Sequence, residues 1–187
     1  MIIGLKRKTV KLITYNPKWA ELFKKEEKRF KRTFGDTIKA IEHVGSTAIS
    51  GIPAKPIIDI NIGVKSLEIA RGMKGKFKKL GYLYRPFVPG HTKEELKGQE
   101  LYVKGPETKR THYIHVTIYN SDYWKKNLLF RNYLRKNSSR AKQYTELKRR
   151  LAEKYTNDRE TYTKSKERFI NETIKMAKKE LKKRVTH

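Results

Sequence analysis

Residues 43–62 read HVGSTAISGIPAKPIIDINI, and this stretch decides how the surrounding chain is expected to fold. From Ile57 onward it is an apolar run of strand length, whereas its first half is rich in small and turn-forming residues. Residues 37–43 also have the composition of a strand. The sequence therefore predicts two strands joined by a turn over residues 44–56.

The turn carries groups that are suited to binding phosphate. Gly45 lets the backbone approach a ligand closely, and Ser46 and Thr47 supply hydroxyl groups. A helix beginning at Ser46 would direct free N–H groups at an anion. Lys55 either neutralises a phosphate or is one of many surface lysines. The turn is therefore predicted to form a phosphate-binding site.

Two polar side chains are expected on one face of the second strand. Because side chains alternate along a strand, Asp59 and Asn61 share a face with Ile57. A carboxylate beside an amide suits Mg²⁺, which takes carboxylate oxygens, waters and substrate phosphates as ligands. In the alternative interpretation, Asp59 accepts hydrogen bonds from the turn and only fixes its shape.

The remainder of the chain indicates an α/β (α+β) fold. A short strand is expected around Val10, and Asn16-Pro17 begins an amphipathic helix that Gly35 ends. Predicted helices and strands then alternate, with a helix over residues 67–80 and strands over 82–88, 100–104 and 113–119. The loop that contains Pro89 and Gly90 is a candidate lid.

From Ser121 onward the pattern is helical. It predicts three helices, which end near Arg135, Tyr155 and Lys183. We expect a single domain, with a core over residues 1–120 and a helical section over residues 121–187.

Composition limits the possible functions. The 46 lysines and arginines against 19 acidic residues give a formal net charge of +27 over 187 residues, which attracts polyanions and favours RNA as a partner. In the alternative, the charge serves solubility or reflects a lysine-rich thermophilic composition. The chain has no cysteine, which excludes disulfides, thiolate metal sites and a cysteine nucleophile. No apolar run reaches the roughly 18 residues of a membrane span, and no signal peptide is apparent, so we expect a cytoplasmic protein.

Several motifs occur together along the chain. They are Tyr15-Asn16-Pro17 with Trp19, EHVGSTA at 42–48, AKPIIDI at 54–60, RTHYIHV at 110–116, LFRNYLR at 129–135, the segment 144–151, and Lys164. This set resembles the GrpB family of the nucleotidyltransferase superfamily and covers nearly the whole chain. The resemblance implies a nucleotidyltransferase-like fold, in which helices flank a mixed β-sheet and a helical section follows.

The resemblance also implies roles for single residues. In that superfamily a Gly-Ser turn contacts a triphosphate and carboxylates on neighbouring strands hold two divalent metals, a pattern that Gly45-Ser46 and Asp59 match. Asn61 departs from the pattern, because active members usually carry a second carboxylate there and a neutral amide binds Mg²⁺ or Mn²⁺ more weakly. His115 stands where a third acid is expected, and it could ligate a metal, act as a base, contact phosphate or simply pack in the core.

Basic residues in the family motifs of the helical section could close over the same pocket. Arg131 and Lys164 are expected at the pocket, whereas Arg135 and Lys148 are expected on a solvated basic face. His43 is a further candidate for contacting the phosphate or nucleotide, although alternation turns only one of residues 42 and 43 toward the site.

Three functions are compatible with these residues. The first is transfer of a nucleotidyl group with Mg²⁺ or Mn²⁺, in which Asp59 holds the metal. The second is a catalytically inactive module that binds a nucleotide, another phosphorylated small molecule or the end of an RNA through the same pocket. The third is a one-metal phosphoryl or hydrolytic reaction with His115 as the base.

Overall fold

A five-stranded mixed sheet forms the centre of the computed structural model, which describes residues 2–86 and 98–185. The strands are β1 (Leu5–Lys6), β2 (Ala40–Val44), β3 (Ile58–Val64), β4 (Tyr82–Tyr84), β5 (Gln99–Lys104), β6 (Lys109–Arg110) and β7 (His112–Ile118). The order in the large sheet is β2-β3-β7-β5-β4, with β3 and β7 parallel and the other neighbours antiparallel. β1 and β6 pair separately.

Helices flank this sheet and form the section that follows it. They are α1 (Lys18–Phe34), α2 (Leu67–Gly72), α3 (Lys74–Lys79), α4 (Asp122–Lys136), α5 (Ser138–Lys154), α6 (Arg159–Lys164) and α7 (Glu167–Val185). The mixed sheet with flanking helices confirms the predicted fold class. Within the described ranges, no helix combines the length and the apolar character needed to cross a membrane.

Helix α1 packs its aromatic stripe against the sheet. The Asn16 side chain accepts a hydrogen bond from the Lys18 N–H at 2.9 Å, as expected of a residue that starts a helix, and the helix ends before Gly35. Trp19 and Phe30 are fully buried in the same core cluster as the isoleucines of β3. This apolar contact fixes one face of β3 and leaves its other face for polar residues.

Two helices that were predicted to be continuous are each interrupted in the structure. The helix expected over 67–80 breaks at Met73, next to glycines that weaken helices by about 1 kcal/mol each. The last predicted helix divides between Lys164 and Glu167, where the Lys166 N–H bonds the Thr163 carbonyl in a tightened final turn. The second break matters for the site, because it turns Lys166 inward.

Two further predictions differ from the structure, and a third concerns residues outside the described ranges. The first strand is Leu5–Lys6, and Val10 instead packs in a small core with Leu151 and Tyr162. The turn after β2 contains only a three-residue 3-10 segment, Ser46–Ala48, so it lacks the aligned free N–H groups that a longer helix would offer. The lid predicted around residues 89 and 90 lies outside the described residues.

A buried acidic residue links α1 to the far edge of the sheet. Glu26 accepts hydrogen bonds from Lys104 Nζ at 2.8 Å, the Tyr82 hydroxyl at 2.8 Å and Arg29 at 2.9 Å. Burial alone would raise the pKa of Glu26, but the bonds from Lys104 and Tyr82 outweigh it and the pKa is lowered. The network therefore favours the charged carboxylate in the folded protein.

We predict that Glu26→Gln lowers the free energy of unfolding by roughly 2 to 3 kcal/mol at pH 7, because a buried charged hydrogen-bonded group is removed. A carboxylate with a lowered pKa stabilises the fold above its ordinary pKa of 4.5 and loses this contribution as the pH falls below it. Denaturant unfolding at pH 7 and pH 4 measures both effects. The control is Glu21→Gln on the exposed face of α1; equal losses in the two variants would contradict the prediction.

Candidate functional site

A cavity of about 830 Å³ lies between the sheet, the turn after β2 and the C-terminal helices. Asp59 of β3 and His115 of β7 form part of its floor, and Gly45 and Ser46 form one side. Helices α4 to α7 form the opposite wall. Strands that are adjacent in the sheet and helices that are distant in sequence thus enclose one space.

The turn after β2 packs directly against Asp59 of β3. Val44 pairs with Asp59 in the β2–β3 ladder, so the next residue, Gly45, lies beside the carboxylate. Gly45 has φ 68° and ψ −172°, and a Cβ atom placed on it would be 2.5 Å from Asp59 Oδ2. A side chain at this position would collide with the carboxylate, so glycine is required for both conformation and space.

Four cations of the cavity lie over tyrosine rings. Lys166 Nζ is 4.3 Å and Lys55 Nζ is 5.0 Å from the centre of the Tyr162 ring. Arg159 lies 5.4 Å from the Tyr113 ring and Lys148 Nζ 4.7 Å from the Tyr144 ring. Among the described residues, none of these four cations has a carboxylate oxygen within 4.0 Å. The rings hold the charges without neutralising them.

Burial shifts the pKa values of the charged groups in the cavity. It raises the pKa of Asp59 to about 6, against the opposing charges of Lys55, Arg159 and Lys166. It lowers the pKa of Lys166 to about 8, an effect that the Asp59 charge partly offsets. Burial followed by the charge of Lys166 lowers the pKa of Lys148 to about 7. The pKa of Lys55 falls well below its usual range through burial and then the charges of Arg159 and Lys166. An anion in the cavity would favour the protonated lysines.

His43 supports the turn from behind instead of facing the cavity. Its ring is buried and stacks on Phe23, with 4.9 Å between the ring centres. Its Nε2 lies 3.0 Å from the Thr47 hydroxyl, which donates to the Ile57 carbonyl at 3.3 Å. Burial, followed by the charges of Arg135 and Arg131, lowers the pKa of His43 to about 3. The expected contact of His43 with a ligand is thus replaced by a neutral structural role, and Thr47 lines the cavity with its hydroxyl already engaged.

The two motif cations expected at the pocket lie elsewhere. Arg131 is buried and donates to Glu42 Oε2 at 2.6 Å and to the His43 carbonyl at 2.7 Å, which ties α4 to β2. Lys164 is exposed and pairs with Glu160 at 3.7 Å. Neither side chain is part of the cavity wall.

The cavity wall contains other basic residues instead of Arg131 and Lys164. From the sequence, these residues were expected in solvent or were not singled out. Lys148, expected on a solvated face, is 1% exposed, lines the cavity and donates to the Pro53 carbonyl. Arg135, also expected on a solvated face, donates to the Ala48 carbonyl and is not part of the cavity wall. Lys166 and Arg159 were not predicted. The available signal was the spacing of four between Tyr162 and Lys166, which would put both on one face of the unbroken helix that the sequence predicts.

The expected metal pair is not assembled. Asn61 is fully buried, with its amide oxygen 3.5 Å from the Thr117 hydroxyl, and it does not reach the cavity wall although it shares a strand face with Asp59. The other wall carboxylates, Asp158, Glu160 and Glu167, are exposed residues of α6, its cap and α7. Within residues 2–86 and 98–185 no group of three histidine, aspartate or glutamate side chains is spaced to hold a metal ion. The donor set does not fit a two-metal centre, and binding of Mg²⁺ or Mn²⁺ stays a prediction.

His115 lies at the cavity floor. Its Nδ1 lies 2.7 Å from Gln99 Oε1, which orients the ring, and both side chains line the cavity.

We predict that Gly45→Ala destabilises the protein more than Gly51→Ala does. Both glycines have positive φ, so each substitution costs roughly 1 to 3 kcal/mol in backbone strain, but only the Gly45 substitution also collides with Asp59. No atom lies within 4 Å of a Cβ placed on Gly51, which makes it the matched control. Thermal unfolding of the two variants tests this, and equal losses of stability would contradict the close approach.

Comparison with known proteins identifies the family. The profile described as "GrpB protein" matches residues 9–176. The glutamate-rich protein GrpB of Alkalihalophilus pseudofirmus is 37% identical over 177 residues, which cover 92% of this chain and 98% of that protein. The crystal structure of conserved protein GrpB from Enterococcus faecalis superposes with a TM-score of 0.80 at 31% identity, covering 91% of this chain and 99% of that one.

A more distant relative is longer. The dephospho-CoA kinase of Mycobacterium leprae is 25% identical over an alignment of 187 positions, which covers 89% of this chain but 46% of the kinase. The matches to the GrpB proteins, by contrast, extend over nearly the full length of both partners. This chain belongs to the GrpB family.

Proposed function

We propose that the cavity binds a phosphate-bearing small molecule of the nucleotide class. The observation that supports this most directly is the set of four cations placed over tyrosine rings, with no carboxylate oxygen of a described residue within 4.0 Å. Charges that are held in place but not neutralised inside the protein are free to interact with a ligand's phosphate oxygens. The ligand's negative charge would relieve the mutual repulsion of the cations.

The dimensions and lining of the cavity agree with a ligand of this size. Its volume of about 830 Å³ falls in the range of small-molecule sites, roughly 300 to 1,000 Å³. Tyr113 and Tyr123 on its wall offer aromatic surface against which a base can stack. Asn127, which also lines the cavity, offers a hydrogen-bonding group for a base or sugar.

Binding is better supported than nucleotidyl transfer. Nucleotidyl transfer through two metals needs several carboxylates around the phosphates. Among the described residues of the sheet, Asp59 is the one whose carboxylate lines the cavity. Release of pyrophosphate from nucleoside triphosphates in the presence of Mg²⁺ or Mn²⁺ and a pool of RNAs would establish transfer. Because one relative is named a dephospho-CoA kinase, dephospho-CoA belongs among the nucleotide probes beside ATP and GTP.

The net charge of +27 favours a second candidate ligand, the phosphate-bearing end of an RNA strand. An RNA end would enter the same cavity, while the rest of the strand would contact the basic surface. In this case 5′-phosphorylated RNA would compete with a nucleotide for the cavity, and its affinity would fall steeply with salt. Tight nucleotide binding without such competition would favour the small molecule.

We predict that Lys166→Met weakens binding of labelled ATP at least about tenfold, because a buried charged contact to phosphate contributes roughly 1.5 to 3 kcal/mol. The matched control is Lys164→Met, two residues away and outside the cavity, which should leave the affinity within about twofold. Equilibrium binding by fluorescence anisotropy measures both. Equal weakening in the two variants would mean that ATP binds through general surface charge.

The affinity should also fall as the pH rises from 7 to 9.5. Lys166 must be protonated to hold a phosphate, and its pKa of about 8 in the free protein means that protonation begins to cost binding energy above that pH. The limiting slope is about one decade of Kd per pH unit for each proton taken up. In Lys166→Met this dependence should become shallower, and an unchanged profile would show that another group controls it.

A further inference from the structure

The inner end of the cavity contains an imbalance of charge. Lys55, Lys166 and Arg159 all act on the Asp59 carboxylate electrostatically, yet none of them approaches it within 4.0 Å. A divalent cation at Asp59 would enter a space that already holds three positive side chains for one negative side chain. The same space is favourable for a group that carries two or more negative charges.

The cations are fixed in position before any ligand arrives. Tyr162 is 1% exposed, and the ammonium groups of Lys55 and Lys166 converge on its ring from two different segments of the chain. Arg159, on the first turn of α6, is held over Tyr113 of β7. Because no carboxylate of residues 2–86 or 98–185 pairs with these cations, their N–H groups form a preorganised set of donors.

The carboxylate is also fixed, by contact with the turn. A Cβ atom placed on Gly45 would be 2.5 Å from Asp59 Oδ2, so the turn packs directly against the carboxylate. From there its charge favours the protonated forms of Lys55 and Lys166. Asp59 thus acts as a counter-charge that partly offsets the effect of burial on the two lysines in the empty cavity.

We propose that this inner end binds a phosphate or diphosphate group directly through Lys55, Arg159 and Lys166, without a divalent metal ion, and that Asp59 is their counter-charge. The inference rests on the proposed function and adds to it the way in which the phosphates are held. In this arrangement three side-chain cations supply the positive charge that two metal ions supply in nucleotidyltransferases.

The experiment uses the full chain with two probes, inorganic pyrophosphate and ATP, and measures binding by calorimetry in excess EDTA and in excess Mg²⁺. We expect binding in EDTA with an affinity at least equal to that in Mg²⁺, because Mg²⁺ masks charge on the free phosphates. Lys55→Met and Lys166→Met should each weaken binding in EDTA at least about tenfold. Lys164→Met should leave it unchanged, and circular dichroism confirms that each variant is folded.

Asp59→Asn distinguishes the two roles of the carboxylate. If Asp59 is a counter-charge, the variant should bind pyrophosphate in EDTA within about threefold of the unaltered chain, since lost repulsion of the ligand and lost support of the lysines oppose each other. If Asp59 is a metal ligand, binding should require Mg²⁺ and be lost in Asp59→Asn.

The possible results separate the two proposals. Binding of either probe only in the presence of Mg²⁺ would overturn metal-free binding and leave the proposed function standing. Absence of binding of both probes under both conditions would overturn the proposed function together with this inference. Binding in EDTA that depends on Lys55 and Lys166, but not on Lys164, supports both.

Discussion

The position of β3 between an antiparallel neighbour and a parallel one is the constraint on which the rest of the molecule depends. Its register places Asp59 opposite Val44 on one side and opposite Tyr113 on the other. The isoleucines on its other face are completely buried in the core that contains α1. A slip by one residue would put Asp59 into that core and an isoleucine into the cavity. Hydrophobic packing on one side of the strand thus determines the chemistry on the other.

The cavity shows how a protein can keep positive charge in its interior. Ion pairs would stabilise the cations but would also occupy their donors, as Arg131 illustrates by its bonds to Glu42 and the His43 carbonyl. Tyrosine rings offer a weaker attraction that leaves the N–H groups available. The empty site therefore destabilises the fold. The lowered pKa values of Lys148 and Lys166 reflect the unfavourable free energy of burying their charges.

The strands of the five-stranded sheet and the glycine turn could be predicted from the sequence, because alternation and turn residues are local signals. The family motifs gave the fold class as well. The cations of the helical section could not be assigned in the same way: Lys164 belongs to a motif, yet Lys166 is the residue that faces the cavity. That outcome depends on where the last predicted helix breaks and on packing against Tyr162, both of which involve residues distant in sequence. Asn61 shows a second limit of prediction from sequence. Strand alternation predicts the face on which a side chain lies, but it does not predict how far along that face a cavity extends, and Asn61 is fully buried.

The cavity draws its walls from segments that are far apart along the polypeptide. The carboxylate and the glycine turn lie in the first third of the chain, whereas Lys148, Arg159 and Lys166 lie in the last quarter. During synthesis on the ribosome the strands of the sheet emerge well before the helices that close the cavity. Under the proposed function, a ligand would bind only after the last helices have docked, and its binding would then stabilise the folded chain but not a partly synthesised one.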